Sequence, residues 1–205
     1  MIKLYGLKMS NYYSLTKALL IEKSVEFEEV KRPPSQEEDF LAMSPMGKMP
    51  AIEADGVFLS ESLAIAQYLE AIQPAPALLP SDPMMSAKVM ELCCHIKLDV
   101  ELVARRCLPE AFFGQTVSQE TKDSARLDLE KGMFAVARLF DGSPYAAGSE
   151  LTLADFYTFY CFGLSSGIAK AIWDINLLEN HANIAAVMTK MAEHASVARV
   201  EAEKG

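Results

Sequence analysis

A proline-rich stretch in the middle of the chain, QPAPALLPSDP, separates two regions with different hydrophobic patterns. Its prolines remove backbone N–H donors and restrict the backbone, so neither a helix nor a sheet can run through it. Short alternating segments of strand type occur before this stretch, whereas helical periodicity occurs after it. The sequence therefore predicts two domains, at residues 1–73 and 84–205, joined by a linker at residues 74–83.

The first region alternates between strand and helix signals. The apolar segment IKLYG predicts a strand, SNYYSLTKALLIEK has helical spacing, and VEFEEV alternates again. Ser35 and Glu38 have the spacing of a capping box, so we expect a short helix to begin there.

A hairpin and a helix complete this region. PAIEA and VFLS flank Asp55 and Gly56, the residue pair preferred in two-residue β-hairpin turns. ESLAIAQYLEAI then predicts a helix with an apolar face. The resulting order, β-α-β-α-β-β-α, predicts an α/β domain.

The second region has helical periodicity and no strand signal, so we expect an all-helical domain. Asp82 and Pro83 form a favourable helix start. Thr152 and Asp155 have capping-box spacing before a nearly all-apolar segment, which predicts a buried helix. The predicted helices cover residues 84–107, 118–140, 151–164 and 183–203.

Composition restricts the partners and the compartment. With 19 basic and 28 acidic residues, the formal net charge is −9, and such a surface repels the phosphates of nucleic acids. No apolar run reaches the roughly 18 residues of a membrane helix, and the first residues lack a signal-peptide pattern. The four cysteines form no C-x-x-C pair. We expect a cytoplasmic protein with no membrane or nucleic-acid partner.

One candidate binding feature is Pro50 in GKMPAIEA, because proline at a strand start marks an edge or a turn. If the Met49–Pro50 bond is cis, the backbone N–H and C=O of Met49 are left for an added extended peptide. A plain trans turn is the alternative, and base rates favour it.

A second candidate is Glu61 with Ser62, at the start of a predicted helix. Hydroxyl and N–H groups at a helix N-terminus bind carboxylates, while the Glu61 carboxylate suits an ammonium group. Together they match the α-amino acid end of a ligand. Simple N-capping by Ser60 or Ser62 is the alternative.

A third candidate is Ser10, in the loop between the first strand and the first helix. Its hydroxyl could donate to a thiolate lying at the helix N-terminus, where the helix dipole also lowers a thiol pKa. Alternatively, Ser10 is only an N-cap. Other possible donors are Asn11, Tyr12, Tyr13 and Ser14.

Cys93, Cys94 and His95 could suggest a metal site, but consecutive helical positions point in different directions. We therefore expect core packing and no metal. Asp99, one helical turn beyond His95, could face an active cleft, a partner subunit or solvent.

Three segments together resemble the cytosolic glutathione transferase family, over nearly the whole chain. SPMGKMPAIEADGVFLSESLAIAQYLE resembles the glutathione-site signature, in which a G-x-[VM]-P turn, a D-G hairpin and an E-S pair occur together. GSELTLADFYTFY and NIAAVMTKMAEHASVARV resemble helices of the second domain. The resemblance implies a thioredoxin-like first domain, an all-helical second domain and a homodimer.

The resemblance also implies roles for individual residues. Met49 would pair its backbone with the cysteinyl part of glutathione, with Pro50 cis, and Glu61 and Ser62 would bind the γ-glutamyl end. Lys48 would meet the glycyl carboxylate.

The residues expected at the thiol are Ser10, as in serine-type members, with Asn11 and Tyr12 as rivals. The second-substrate pocket is expected to include Met9, Phe112, Phe113 and Tyr160.

The expected activity is conjugation of glutathione, acting as a cosubstrate without a tightly bound cofactor, to an apolar electrophile. Glutathione-dependent disulfide or peroxide reduction and isomerisation are enzymatic alternatives. A non-catalytic binding protein of the transcription or translation machinery is the alternative outside enzymology.

Overall fold

The computed structural model describes residues 1–204, which form two compact units. One unit contains Met1–Leu78 together with the residues from Glu193 onward, and the other contains Leu79–Ala192. The predicted fold class, a thioredoxin-like α/β domain with an all-helical domain, is confirmed. Within residues 1–204, no helix has the length and apolar character needed to cross a membrane.

The first unit contains a four-stranded mixed sheet in the order β2-β1-β3-β4. Strand β1 is parallel to β2 and antiparallel to β3, and β3 is antiparallel to β4. The elements are β1 (Ile2–Gly6), α1 (Asn11–Glu22), β2 (Phe27–Lys31), α2 (Glu38–Leu41), β3 (Ala51–Ala54), β4 (Val57–Ser60) and α3 (Ser62–Ile72). The predicted order of strands and helices is confirmed.

The hairpin turn between β3 and β4 has the predicted residues at its centre. Asp55 and Gly56 have φ values of 50° and 79°, and Ala54 pairs with Val57. Two consecutive positive φ angles match the right-handed twist of the flanking strands. The hairpin prediction is confirmed.

The predicted capping-box start of α2 at Ser35 is wrong. The helix begins at Glu38, and the cap residue Glu37 makes no side-chain capping bond. The Ser35 Oγ instead accepts a hydrogen bond from the N–H of Glu37 at 3.0 Å. A hydroxyl that bonds two residues ahead forms a local turn and does not cap the helix three residues on.

The second unit is helical, and its residues contain one isolated β-bridge, between Tyr145 and Gly148. Its α-helices are α4 (Pro83–Cys94), α5 (Leu102–Ala104), α6 (Leu108–Phe113), α7 (Gln119–Leu139), α8 (Leu153–Trp173) and α9 (Ala182–Ala192).

The segment predicted as one helix over residues 84–107 is helical, but it is not α-helical throughout. A π-helical segment, His95–Glu101, follows α4, and a 3₁₀ turn, Arg105–Cys107, follows α5. Helix α7 approaches this segment closely, because a Cβ on Gly132 would lie 2.0 Å from the Asp99 carbonyl oxygen. Hydrophobic spacing alone does not distinguish these windings.

The predicted final helix over residues 183–203 is two helices. A break at Glu193 and His194 separates α9 from α10 (Ala195–Ala202), and His194 is extended, with φ −67° and ψ 132°. The imidazole Nε2 of His194 lies 2.7 Å from the Glu22 Oε2 on α1. Helix α10 therefore belongs to the first unit, whereas the predicted helical domain ran to residue 205.

The predicted capping box of α8 is confirmed. Asp155 is fully buried, and its carboxylate accepts hydrogen bonds at 2.7 Å from the backbone N–H groups of Thr152 and Ala146. The same side chain thus starts the helix and fixes the loop before it.

We expect Asp155→Ala to lower the free energy of unfolding by about 2–4 kcal/mol, because it leaves buried N–H donors without acceptors. Urea denaturation measures this loss. The control Asp123→Ala removes an exposed carboxylate on α7 that accepts only from Gln119 among the described contacts, so its effect should stay within about 0.5 kcal/mol. Equal losses in the two variants would contradict this account of the α8 cap.

Candidate functional site

The sheet register brings three separate loops to one end of the first unit. Strand β1 ends at Gly6, and its antiparallel pairing places Tyr5 opposite Ala51, the first residue of β3. Ala51 also pairs with Ser60, the last residue of β4. The loop after β1, the turn before β3 and the junction after β4 therefore lie at the same end of the sheet, where these strands begin or finish.

The turn before β3 carries Lys48, Met49 and Pro50. The Met49–Pro50 bond is cis, as the resemblance implied, and the Ser44 hydroxyl donates to the Lys48 carbonyl at 2.7 Å. A Cβ on Gly6 would lie 3.3 Å from the Met49 Cβ, so Met49 is next to the end of β1. Within residues 1–204, no hydrogen bond occupies the backbone N–H or C=O of Met49.

The junction between β4 and α3 carries Glu61 and Ser62. Glu61 has φ 71° and ψ 116°, an unfavourable conformation for a residue with a side chain. Such backbone strain costs about 1–3 kcal/mol and is concentrated at functional sites. Glu61 is exposed, whereas Ser62 is buried as the first residue of α3. The strain supports the interpretation of this junction as a binding feature.

The loop after β1 leads into Ser10, which is the N-cap of α1. Its Oγ accepts a hydrogen bond from the N–H of Tyr13 at 3.4 Å. A serine hydroxyl can accept one bond and still donate its own proton. The capping role and the predicted thiolate contact are therefore compatible.

Two of the rival donors are engaged elsewhere. The Tyr13 hydroxyl donates to the Glu29 Oε2 at 2.6 Å, and burial together with this bond raises the pKa of Tyr13 far above its ordinary value. The buried Ser14 hydroxyl donates to the Lys8 carbonyl at 3.2 Å. Neither hydroxyl is available to a ligand at the N-terminus of α1.

The remaining thiol candidates are Ser10, Asn11 and Tyr12. Ser10 and Asn11 are partly exposed, whereas Tyr12 is buried. Exposure thus favours the first two, and the choice among the three stays a prediction.

The predicted second-substrate residues differ in exposure. Met9, in the first unit, and Phe112 and Phe113, on α6 of the second unit, are largely exposed. Tyr160, on α8, is almost fully buried and packs edge-to-face against Phe159. Their joint role in a pocket stays a prediction.

The residues considered for a metal site have other surroundings. Cys93 is buried, which raises the pKa of its thiol, and His95 contacts Asp99 through Nδ1 and Oδ2 at 2.6 Å. Among residues 1–204, no group of three or more His, Cys, Asp or Glu side chains is arranged to bind a metal ion.

The sequence did not predict that Lys17, a charged residue in the first unit, is buried. Lys17 lies on α1 and is only 2% exposed, and its partners Glu29 and Glu203 are distant in sequence. The only local signal is a lysine among the apolar residues of α1.

The first unit is thioredoxin-like and carries a helix N-terminus, a cis-proline turn and an acid–hydroxyl pair at one end of its sheet. Residues 4–77 match the family model described as the N-terminal domain of glutathione S-transferase. A glutathione S-transferase from Pseudomonas putida is 40% identical over 204 residues, which cover 100% of this chain and 93% of that protein. The chain belongs to the glutathione S-transferase family, and it is an enzyme.

Two further similarities are informative. A probable maleylacetoacetate isomerase 1 from Drosophila melanogaster is 32% identical over 127 residues, which cover 58% of this chain and 47% of that protein. A glutathione transferase homologue from Sulfitobacter, solved with bound glutathione, superposes with a TM-score of 0.77 at 21% identity and covers 99% of this chain and 98% of its own. The second similarity supports the fold.

Gly47, just before Lys48, offers a test of how tightly the turn is packed. At φ 64°, a Cβ there would lie 2.1 Å from the Gln36 Nε2 and 2.4 Å from the Ser35 carbonyl oxygen. Gly56 has a similar φ of 79°, with no atom within 4 Å of such a Cβ.

We expect Gly56→Ala to cost about 1 kcal/mol of unfolding free energy, the strain of positive φ alone. Gly47→Ala should cost about 2–4 kcal/mol, because a backbone oxygen must also move. Denaturant titrations of both variants measure the difference. If Gly47→Ala lowers the free energy of unfolding by no more than Gly56→Ala does, the turn before β3 is not packed as described.

Proposed function

We propose that this enzyme binds reduced glutathione at the end of the sheet where the loops after β1, before β3 and after β4 meet. There it lowers the pKa of the glutathione thiol and transfers the thiolate to an apolar electrophile. The observation that carries this proposal is the convergence of Ser10, Met49 and Glu61 at one end of the sheet. Each feature has an ordinary structural explanation when taken alone. The ordinary explanations do not account for why all three features lie at one end of the sheet in a member of this family.

The ligand would be held mainly through its backbone and its charged ends. The N–H and C=O of Met49 pair with the cysteinyl residue as an added strand pairs with an edge. Glu61 binds the γ-glutamyl ammonium, and Ser62, at the start of α3, binds the neighbouring carboxylate. The exposed Lys48 ammonium binds the glycyl carboxylate at the other end.

The chemistry then depends on Ser10 and α1. The helix dipole and the Ser10 hydroxyl stabilise the thiolate, while the thiol proton leaves to solvent. A drop in thiol pKa from about 8.5 to about 6.5 corresponds to about 2.7 kcal/mol of stabilisation. With an aryl halide, the sulfur attacks the ring carbon, the carbon–sulfur bond forms and the halide departs with its electron pair.

Calorimetric titration with reduced glutathione tests the binding step. We expect saturable one-site binding, and Glu61→Gln should raise Kd by about tenfold or more, since a charged hydrogen bond contributes about 1.5–3 kcal/mol. Glu26→Ala, which removes an exposed carboxylate elsewhere in the first unit, should leave Kd unchanged. Absence of binding to the unmodified protein would refute the proposal, and an unchanged Kd in Glu61→Gln would remove Glu61 from the site.

Steady-state conjugation of an activated aryl chloride tests the thiolate step. Ser10→Ala should raise the pKa of the bound thiol and lower kcat by about 10–100-fold, while the Kd for glutathione changes little. Ser10→Thr retains a hydroxyl and should retain most activity.

Because Ser10 also caps α1, its replacement costs stability as well. Ser118→Ala is the matched control, since Ser118 caps α7 by accepting from the Thr121 N–H at 3.2 Å. It should lose about 1 kcal/mol of stability and no activity. An unchanged kcat in Ser10→Ala would transfer the thiol contact to Asn11 or Tyr12.

Glutathione-dependent isomerisation is the second candidate. It is favoured by the similarity to a protein named a probable maleylacetoacetate isomerase, over 58% of this chain. Product analysis separates the two, because conjugation consumes glutathione and isomerisation regenerates it.

We also propose a homodimer in the cytoplasm. The exposed apolar side chains Val57 and Phe58 on β4 are candidates for burial in such an interface. The cysteines are not disulfide-bonded, which suits a reducing compartment. Light scattering of the purified protein tests the dimer directly, and a monomeric mass would exclude it.

A further inference from the structure

The buried ammonium of Lys17 is the least expected group in the first unit. Its side chain is 2% exposed, and its Nζ lies 2.7 Å from the Glu29 Oε1 on β2. The same Nζ forms an ion pair with the Glu203 carboxylate, directly after α10. A buried lysine requires such partners, because an unpaired charge inside a protein is strongly unfavourable.

These contacts tie the C-terminal segment to the helix that begins at Ser10. Lys17 lies seven residues after Ser10, which is two turns along α1. The Glu203 carboxylate is therefore joined to the body of the helix whose N-terminus faces the proposed thiol.

A second contact ties the same segment to the loop on the other side of Ser10. The Lys8 Nζ donates to the backbone carbonyl of Glu203 at 2.9 Å. The Ser14 hydroxyl donates to the Lys8 carbonyl at 3.2 Å, which connects the loop back to α1. Residue 203 thus contacts groups both before and after Ser10.

We propose that Glu203 is a positioning residue for thiol activation: through Lys17 and Lys8 it fixes the start of α1 and the loop that carries Ser10. This inference rests on the proposed function, since it concerns the thiol of bound glutathione. Glu203 does not touch the ligand in this account and acts only through the geometry of α1.

The charges around Lys17 determine how the proposal can be tested. The charged and titratable groups of this cluster are Glu29 on β2, Tyr13 on α1, Lys8 in the loop, Arg199 on α10 and Glu203 after it.

The two acids of the cluster remain charged at neutral pH. Burial pushes the pKa of Glu29 upward, but hydrogen bonds from Lys17 and Tyr13 outweigh this and leave it below its usual value. The hydrogen bond from Lys17 lowers the pKa of Glu203.

Removal of the Glu203 charge distinguishes a positioning role from a direct electrostatic effect, because the two predict opposite changes in the pKa of the bound thiol. If Glu203 acted on the thiol only as a nearby negative charge, Glu203→Gln would remove repulsion and lower the thiol pKa. If it acts by fixing α1, the same change weakens the contact with Lys17, loosens the start of the helix and raises the thiol pKa, while the Lys8 contact with the backbone carbonyl is retained.

The experiment is a pH titration of the ultraviolet thiolate absorbance of glutathione bound to the protein, together with the pH profile of conjugation. We expect Glu203→Gln to raise the thiol pKa by about half a unit to one unit, corresponding to a several-fold loss of activity at neutral pH that recovers at higher pH. The Kd for glutathione should change little.

Two further variants complete the design. Glu201→Gln removes a carboxylate in the last turn of α10. Among the described contacts this carboxylate pairs with Lys204 and not with Lys17 or Lys8, so the thiol pKa should not rise. Glu203→Asp keeps the charge but shortens the side chain by one methylene group, and it should raise the thiol pKa as well. It also provides the test if Glu203→Gln does not fold, as judged by thermal unfolding.

The outcomes distinguish this inference from the function on which it rests. If the unmodified protein shows no thiolate signal with glutathione, the proposed function is wrong, and the role of Glu203 is wrong with it. If the unmodified protein lowers the thiol pKa and Glu203→Gln leaves it unchanged or lowers it further, only the positioning role is overturned.

Discussion

The pairing of β1 with both β2 and β3 is the constraint on which the candidate site depends. Because β1 is antiparallel to β3, the end of β1 meets the start of β3, and Ala51 lies opposite both Tyr5 and Ser60. A register shift of one residue would turn the side chains of β3 to the opposite face of the sheet. It would also move Met49 away from Gly6. Alignment of the three loops is therefore enforced by core packing.

The site itself uses backbone conformations that the sheet does not require. Glu61 and Gly47 both have positive φ, at 71° and 64°. Glu61 is itself proposed to bind one end of the peptide, and Gly47 directly precedes Lys48, which is proposed to bind the other end. Gly47 meets this requirement by lacking a side chain, whereas Glu61 retains one at an energetic cost. The difference is informative, because glycine would be the simpler choice at residue 61 if only the turn mattered. Residue 61 therefore carries a carboxylate side chain at a backbone conformation that is unfavourable for any side chain.

The sequence predicted the features that depend on neighbouring residues. The Asp55–Gly56 hairpin and the Thr152–Asp155 cap were recognisable because each involves groups within a few residues of one another. The α2 start at Ser35 was wrong because a hydroxyl has several nearby backbone partners. The contact between Lys17 and Glu203 was not predictable, since it spans 186 positions and depends on the break before α10.

The sequence presents capping and thiolate contact by Ser10 as alternatives, but the geometry makes the two roles compatible. Capping uses an oxygen lone pair of Ser10, directed at the Tyr13 N–H, and leaves the hydroxyl proton for another acceptor. The N-terminus of α1 carries the positive end of the helix dipole, so an anionic acceptor there gains from both the hydroxyl and the helix terminus. A cap residue at the start of α1 is thus already oriented for an anion. In the proposed function, an ordinary cap becomes a thiol-activating one because peptide-binding loops lie beside it, before β3 and after β4.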